Sequence, residues 1–236
     1  MERYDTRLAA AYIRGTAAQQ PGLLPETLWR RPLAALTPQE AAAILRAGEA
    51  AGLRLYHFKQ RETLPRVRAV LGFLRGVQPE SLLDVGSGRG AFLFPFLEAF
   101  PATPVTALDL LPHRVELLRR LAAGGIDSLT AQEADLCRWD GGGRRYDVVT
   151  LLEVLEHIPD VEAAVRAAVA LARRYVVVSV PSKPDNNPEH IHLLTRDRLT
   201  QLFARAGCER LHFGGVNGHL LLTVTVEEAI PCTKLP

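Results

Sequence analysis

Apolar positions along the chain change rhythm near residue 81. Before that point they recur at helical spacing. "RETLPRVRAVLGFLRGV" puts Leu64, Val67, Val70, Leu71 and Leu74 on one stripe, which predicts an amphipathic helix with Pro65 in its first turn and an end near Gly76. Upstream, "TPQEAAAILRAGEAAG" opens on Thr37, Pro38 and Glu40, a capping box with proline at the first helical position, and Gly52 is its stop. After residue 81, short apolar runs alternate with helical patterns. Strands are expected at 81–85, 105–109, 128–133, 146–152 and 175–180, and helices at about 89–99, 113–123 and 160–172. Such alternation predicts a parallel sheet with right-handed crossovers. The C-terminal end differs. A helix near 195–206 is followed by "RLHFGG" and "GHLLLTVTVEE", joined by a tight "GVNG" turn, so the last strand should run antiparallel to the rest. The expected fold is α/β, a doubly wound and mostly parallel sheet spanning 65–236, with residues 1–64 as an N-terminal helical cap.

Composition narrows the function classes. The 236 residues are 47% hydrophobic and 23% charged, ordinary for a globular protein of one domain with an appendage. No apolar run approaches the ~20 residues of a membrane span. The opening "MERYDTRLAAAY" has no apolar core of signal-peptide type, and the three cysteines, Cys137, Cys208 and Cys232, have neither zinc nor disulfide spacing. A cytoplasmic protein without a membrane partner is the expectation. Net charge is +2, but residues 1–78 carry 12 Lys/Arg against 6 Asp/Glu while the remainder carries 16 against 20. The basic third reads as solvated helix faces, with electrostatic steering of an anionic substrate as the alternative.

The candidate chemistry begins at "LLDVGSGRGAFL". A strand ends in Asp84, Gly86-Ser87-Gly88-Arg89-Gly90 make a turn, and a helix follows. Glycines let a ligand lie against bare backbone, and open α/β sheets bind ligands at this strand edge. A dinucleotide loop reads G-x-G-x-x-G and seats a pyrophosphate on the helix N-terminus. Here an acid precedes the glycines, which would repel phosphate and receive an ammonium group. Asp109 ends the second strand, where an acid hydrogen-bonds ribose hydroxyls. Asp135, just past the third strand, can accept from an exocyclic amine, with Leu136 against a flat ring. An amino group, a ribose and an adenine match S-adenosylmethionine better than a nicotinamide cofactor.

These residues carry a resemblance. "LDVGSGRG", "VTALDL", "EADL", "YDVVTLLEVLEH" and "VVVSVP" stand in the order found in the class I S-adenosylmethionine-dependent methyltransferases, over about residues 65–226. The resemblance implies a seven-stranded sheet of order 3-2-1-4-5-7-6 with strand seven antiparallel. It implies cofactor roles for Asp84, Gly86, Ser87, Gly88, Asp109 and Asp135, and places Leu110, Leu136 and Glu153 beside the cofactor.

The stretch "LLEVLEHIPD" poses the remaining question. An apolar strand delivers Glu153, Glu156 and His157, which a helical turn through 153–157 would set on one face at i, i+3 and i+4. The next strand's loop, "PSKPDNNPEHIHLLT", adds His190 and His192. In one reading Glu153 touches the cofactor, Asp160 caps the next helix, and His157, His190 or His192 takes the proton that a protic small-molecule acceptor must lose. In the other, Glu153, Glu156, His157 and His190 bind a divalent metal; mixed O and N ligands suit manganese, iron or zinc. That set resembles the small-RNA 3′-terminal 2′-O-methyltransferases, in which a later His precedes a T-R pair by five residues, as His190 precedes Thr195-Arg196. "FKQRETL" at 58–64 is faintly similar to that family's substrate segment, although its paired prolines are absent. A non-catalytic module on the same fold, and aminopropyl transfer, are the further alternatives. His57 reads as a packing residue, and His113, His212 and His219 as structural histidines.

Overall fold

The computed structural model describes residues 5–59, 62–184 and 186–226. In chain order its elements are α1 (Thr6–Ala17), α2 (Glu26–Trp29), α3 (Pro38–Ala50), α4 (Pro65–Val77), β1 (Leu82–Val85), α5 (Leu93–Ala99), β2 (Val105–Asp109), α6 (Pro112–Ala123), β3 (Leu129–Glu133), β4 (Tyr146–Leu152), α7 (Val161–Leu171), β5 (Ala172–Pro181), α8 (Arg196–Arg205), β6 (Arg210–Val216) and β7 (His219–Thr225). The seven strands form one sheet of order β3-β2-β1-β4-β5-β7-β6. The pairs β2/β3, β1/β4 and β4/β5 are parallel, and β7 is antiparallel to both β5 and β6. This is the expected sheet. Among the described residues no helix is long and apolar enough to cross a membrane.

The chain divides into two compact units, residues 1–67 with 87–134 and residues 68–86 with 135–236. In the first, α1 packs on α6 with almost no space between backbones. A Cβ on Gly15 would lie 1.9 Å from the Arg120 carbonyl oxygen, and one on Gly124 1.7 Å from that of Ala11. Asp5 caps α1 by accepting from the Leu8 N–H, and its own N–H donates to the Phe58 carbonyl at 2.6 Å. Phe58, 1% exposed, stacks on Phe94 with centroids 5.5 Å apart. The capping box read at Thr37 is present in full, with Glu40 reaching back to the Thr37 N–H.

In the second unit Val148, Val149, Leu151, Val176, Val177, Val178 and Val180 are all buried, as central parallel strands covered on both faces require. Burial along β7 alternates instead, the mark of a strand nearer the edge. Two boundaries differ from the sequence reading. The helix after the glycines starts at Leu93, not 89, because Gly88 and Gly90 hold φ of +57° and +79° and prolong the loop. The expected strand 175–180 begins at Ala172, directly after α7, with no intervening loop.

Candidate active site

In the first unit the glycine loop is tied to the end of β2. The Gly88 N–H donates to Asp109 Oδ2 at 2.9 Å, and the Leu111 N–H donates to Oδ1 at 2.9 Å. Asp109 is buried, with the Arg114 guanidinium 3.6 Å from Oδ2. A carboxylate has about four acceptor positions, so these two N–H bonds leave capacity for a ligand hydroxyl. The next residue, Leu110, is 63% exposed. Standing next to a buried acid, this leucine can offer an apolar face to a flat ring.

In the second unit Asp84, next to last in β1, is buried and accepts from Thr150 Oγ1 at 2.8 Å across the parallel register. Gly86 has φ +65°, and a Cβ there would meet Val154 Cγ2 at 2.6 Å, so only glycine fits that turn. Asp135 accepts the Cys137 N–H at 2.9 Å and keeps a half-exposed carboxylate. Burial, then the charges of Asp135 and Asp160, push the Cys137 thiol up. Leu136 departs from expectation. It is 4% exposed and belongs to the core, so it has no open face for a ring.

"LLEVLEHIPD" resolves into a strained corner and a short 3-10 turn. Glu153 has φ +60°, a left-handed conformation that side-chain-bearing residues adopt only where surroundings enforce it. The turn spans Leu155–His157. Glu153 therefore does not share a helical face with Glu156 and His157, as the spacing suggested. Its Oε1 accepts from Ser179 Oγ at 2.7 Å and its Oε2 lies 3.2 Å from His219 Nε2. Glu156, His157 and His190 do converge, with one ligand atom of each within 4.8 Å of the others. The first is fully buried and the two imidazoles meet edge to face at 4.8 Å.

The ring nitrogens sort the histidines. His157 Nδ1 lies 2.9 Å from the Glu189 carbonyl oxygen, which only accepts, so Nδ1 carries the hydrogen and Nε2 the lone pair. His192 is different. Its Nε2 donates to the Ile158 and Pro159 carbonyls at 3.0 and 3.3 Å, which ties the loop down and removes this nitrogen as a proton acceptor. A catalytic role for His192 would therefore run through Nδ1, the nitrogen that keeps the lone pair. Asp160 caps α7 through the Ala163 N–H, as read. A cleft of about 110 Å³, lined by Pro181, Lys183, Pro184 and 190–193, opens beside His190. The Gln60-Arg61 pair of "FKQRETL" and Cys232 lie outside the described residues.

Sequence reasoning missed Ser179 and His219 as partners of Glu153. The signal was present: an antiparallel last strand begins where its parallel neighbours end, so its first residue reaches their carboxyl edge.

An open α/β sheet of this strand order, with acids and glycines at the strand ends, defines the fold of a methyltransferase. A methyltransferase-domain family model matches residues 55–212. The chain belongs to that family. It is 34% identical over 117 residues to the ubiquinone biosynthesis O-methyltransferase of Methylocella silvestris, covering 50% of this chain and 43% of the relative. The chain thus spans about half the length of the curated relatives it matches. It shares its fold with an O-methyltransferase family protein from Burkholderia thailandensis (TM-score 0.59, 18% identity, 95% of this chain and 72% of that one). It shares it also with the methyltransferase domain of bacterial CtHen1-C (TM-score 0.57, 19% identity, 69% of this chain and 97% of that one).

Proposed function

We propose that this chain transfers a methyl group from S-adenosylmethionine to a hydroxyl of a small-molecule acceptor. The observation that carries the reading is the Gly88 N–H bonded to Asp109, followed by the exposed Leu110. A glycine turn fixed by the ribose acid, with an apolar face next to it, fits an adenosine. The acids at the other strand ends fit an ammonium group and not a pyrophosphate. Asp109 would hold the ribose, Leu110 the adenine face, Asp135 the exocyclic amine, and Asp84 and Glu153 the amino-acid end. Gly86, Ser87 and Gly88 supply the backbone against which the ligand lies. When bound, S-adenosylmethionine supplies an electrophilic methyl on a sulfonium. The protein's part is alignment, exclusion of water and removal of the acceptor proton. His157 suits the last task, since Nδ1–H is anchored on the Glu189 carbonyl and Nε2 keeps its lone pair. His190, in ring contact with it, is the second candidate. The O-methyltransferase names of the relatives support an oxygen acceptor. The free thiol of Cys137 fits a reducing cytoplasmic setting.

One observation favours a second reading. Glu156, His157 and His190 offer one oxygen and two nitrogen ligands, a set suited to manganese, iron or zinc, and His157 already donates its other ring N–H to a carbonyl as metal-bound imidazoles do. Such a metal would serve 2′-O-methylation of RNA ends. Glu153 is not in that group. The experiment supplies purified protein with labelled S-adenosylmethionine and a fractionated cell extract, with and without EDTA. Label in small molecules, unaffected by EDTA, is the expected result. Label in small RNA that EDTA abolishes would transfer the conclusion to the second reading.

A further inference from the structure

Glu153 is gripped from strands that the proposed chemistry does not otherwise use. Its N–H donates to the Ser179 carbonyl at 2.9 Å, and Ser179 Oγ donates to its Oε1 at 2.7 Å. His219 Nε2 faces Oε2 at 3.2 Å, and His219 Nδ1 lies 3.1 Å from the Asn217 carbonyl oxygen. Both of those oxygens only accept, so a ring nitrogen that carries a hydrogen donates to the oxygen it faces. The imidazole is thus a strut between a turn and a carboxylate.

The turn is itself anchored. Asn217 and Gly218 take φ of +43° and +84°, the left-handed pair of a tight hairpin. The Ser182 N–H and Oγ both donate to the Gly218 carbonyl, each at 2.8 Å, and His219 pairs with Pro181 in the sheet. Because β7 runs against β5, its first residue stands at the end where β4 and β5 finish. The hairpin therefore delivers His219 to Glu153 with its turn held rigid.

We propose that His219 is a positioning residue. With Ser179 it fixes the Glu153 carboxylate in the orientation that receives the amino-acid end of S-adenosylmethionine, so the C-terminal hairpin sets cofactor affinity. This rests on the reading of Glu153 as a cofactor contact.

The test uses the full chain and titrates S-adenosylmethionine by calorimetry. His219→Gln keeps a donor at the reach of Nε2, toward Glu153. His219→Asn keeps one at the reach of Nδ1, toward the turn. Loss of a charge-assisted hydrogen bond is worth about a tenfold change. His219→Ala and His219→Asn should raise Kd by about that factor, while His219→Gln stays near the parent value. In a Glu153→Ala background the cost of His219→Ala should vanish. Rescue by Asn and not by Gln would overturn the proposal by assigning His219 to the turn alone. An equal cost in the Glu153→Ala background would overturn it too. Absence of saturable binding by the parent protein marks failure of the underlying cofactor reading instead, and the inference falls with it.

Discussion

Asp109 does two jobs with one carboxylate. It organises the glycine loop through the Gly88 and Leu111 N–H groups, and it is the proposed ribose acceptor. Asp109→Asn turns one oxygen into a donor facing a donor. We expect a loss of about 1–3 kcal/mol in urea unfolding, from a buried donor left unsatisfied, together with weakened cofactor binding. The Glu98 carboxyl on α5 gives a pH prediction. A hydrogen bond to Asp5, then burial, then the Asp5 charge push it up to about 7, against the opposing pull of Arg7. Folded Glu98 therefore holds its proton where the unfolded chain has lost it. Its contribution to stability is present below the ordinary glutamate range and is lost as pH rises through about 7. Glu98→Gln should flatten that fall. Melting curves from pH 5 to 8 should show the variant gaining on the parent as pH rises, and parallel curves would contradict the assignment.

The hairpin and the helix pair show which elements a sequence discloses. Thr37 with Glu40 marked a helix start because the cap is chemistry between near neighbours. The alternating runs marked the strands for the same reason, and Asn217-Gly218 marked the hairpin. Helix α1 was not individually legible. Leu8, Ala9, Ala10, Ala11, Ile13, Arg14, Gly15, Thr16 and Ala17 are all buried, polar Arg14 and Thr16 among them, so polarity along the helix does not report which residues face solvent. Arg14 looks like a surface residue in sequence, yet it donates from inside to the Trp29 and Arg31 carbonyls. The corner at Glu153 was hidden too, since φ +60° breaks the i, i+3, i+4 arithmetic that grouped it with Glu156 and His157. Gly15 and Gly124 carry the α1/α6 contact, where a methyl group would have to enter a carbonyl oxygen. Gly124→Ala should cost about 1–3 kcal/mol or more by overpacking, seen as a lowered Tm, and an unchanged Tm would refute the close approach. Gly86→Ala adds a left-handed φ to a clash with Val154, so it should impair both folding and cofactor binding.

At the scale of the molecule, the residues proposed for the cofactor were legible as motifs, while their packing and the acceptor side were not. S-adenosylmethionine has fixed functional groups, so the glycines and the acids at the strand ends recur in order. Packing, and contact with an acceptor, depend on tertiary placement: His192 fastens a loop through Nε2, Leu136 lies in the core, and His219 faces Glu153. Family membership rests on the match over residues 55–212. The account as a whole rests on cofactor binding. At a hundredfold excess over Kd, a ligand that binds only the folded state adds about 2.7 kcal/mol, which for a chain of this size raises Tm by roughly 5–10 °C. The most direct measurement is calorimetric titration of the parent protein and Asp109→Ala with S-adenosylmethionine. The account predicts saturable one-to-one binding by the parent, weakened at least about tenfold in the variant by loss of the ribose contact. No saturable binding by the parent, or equal binding by both, would contradict it.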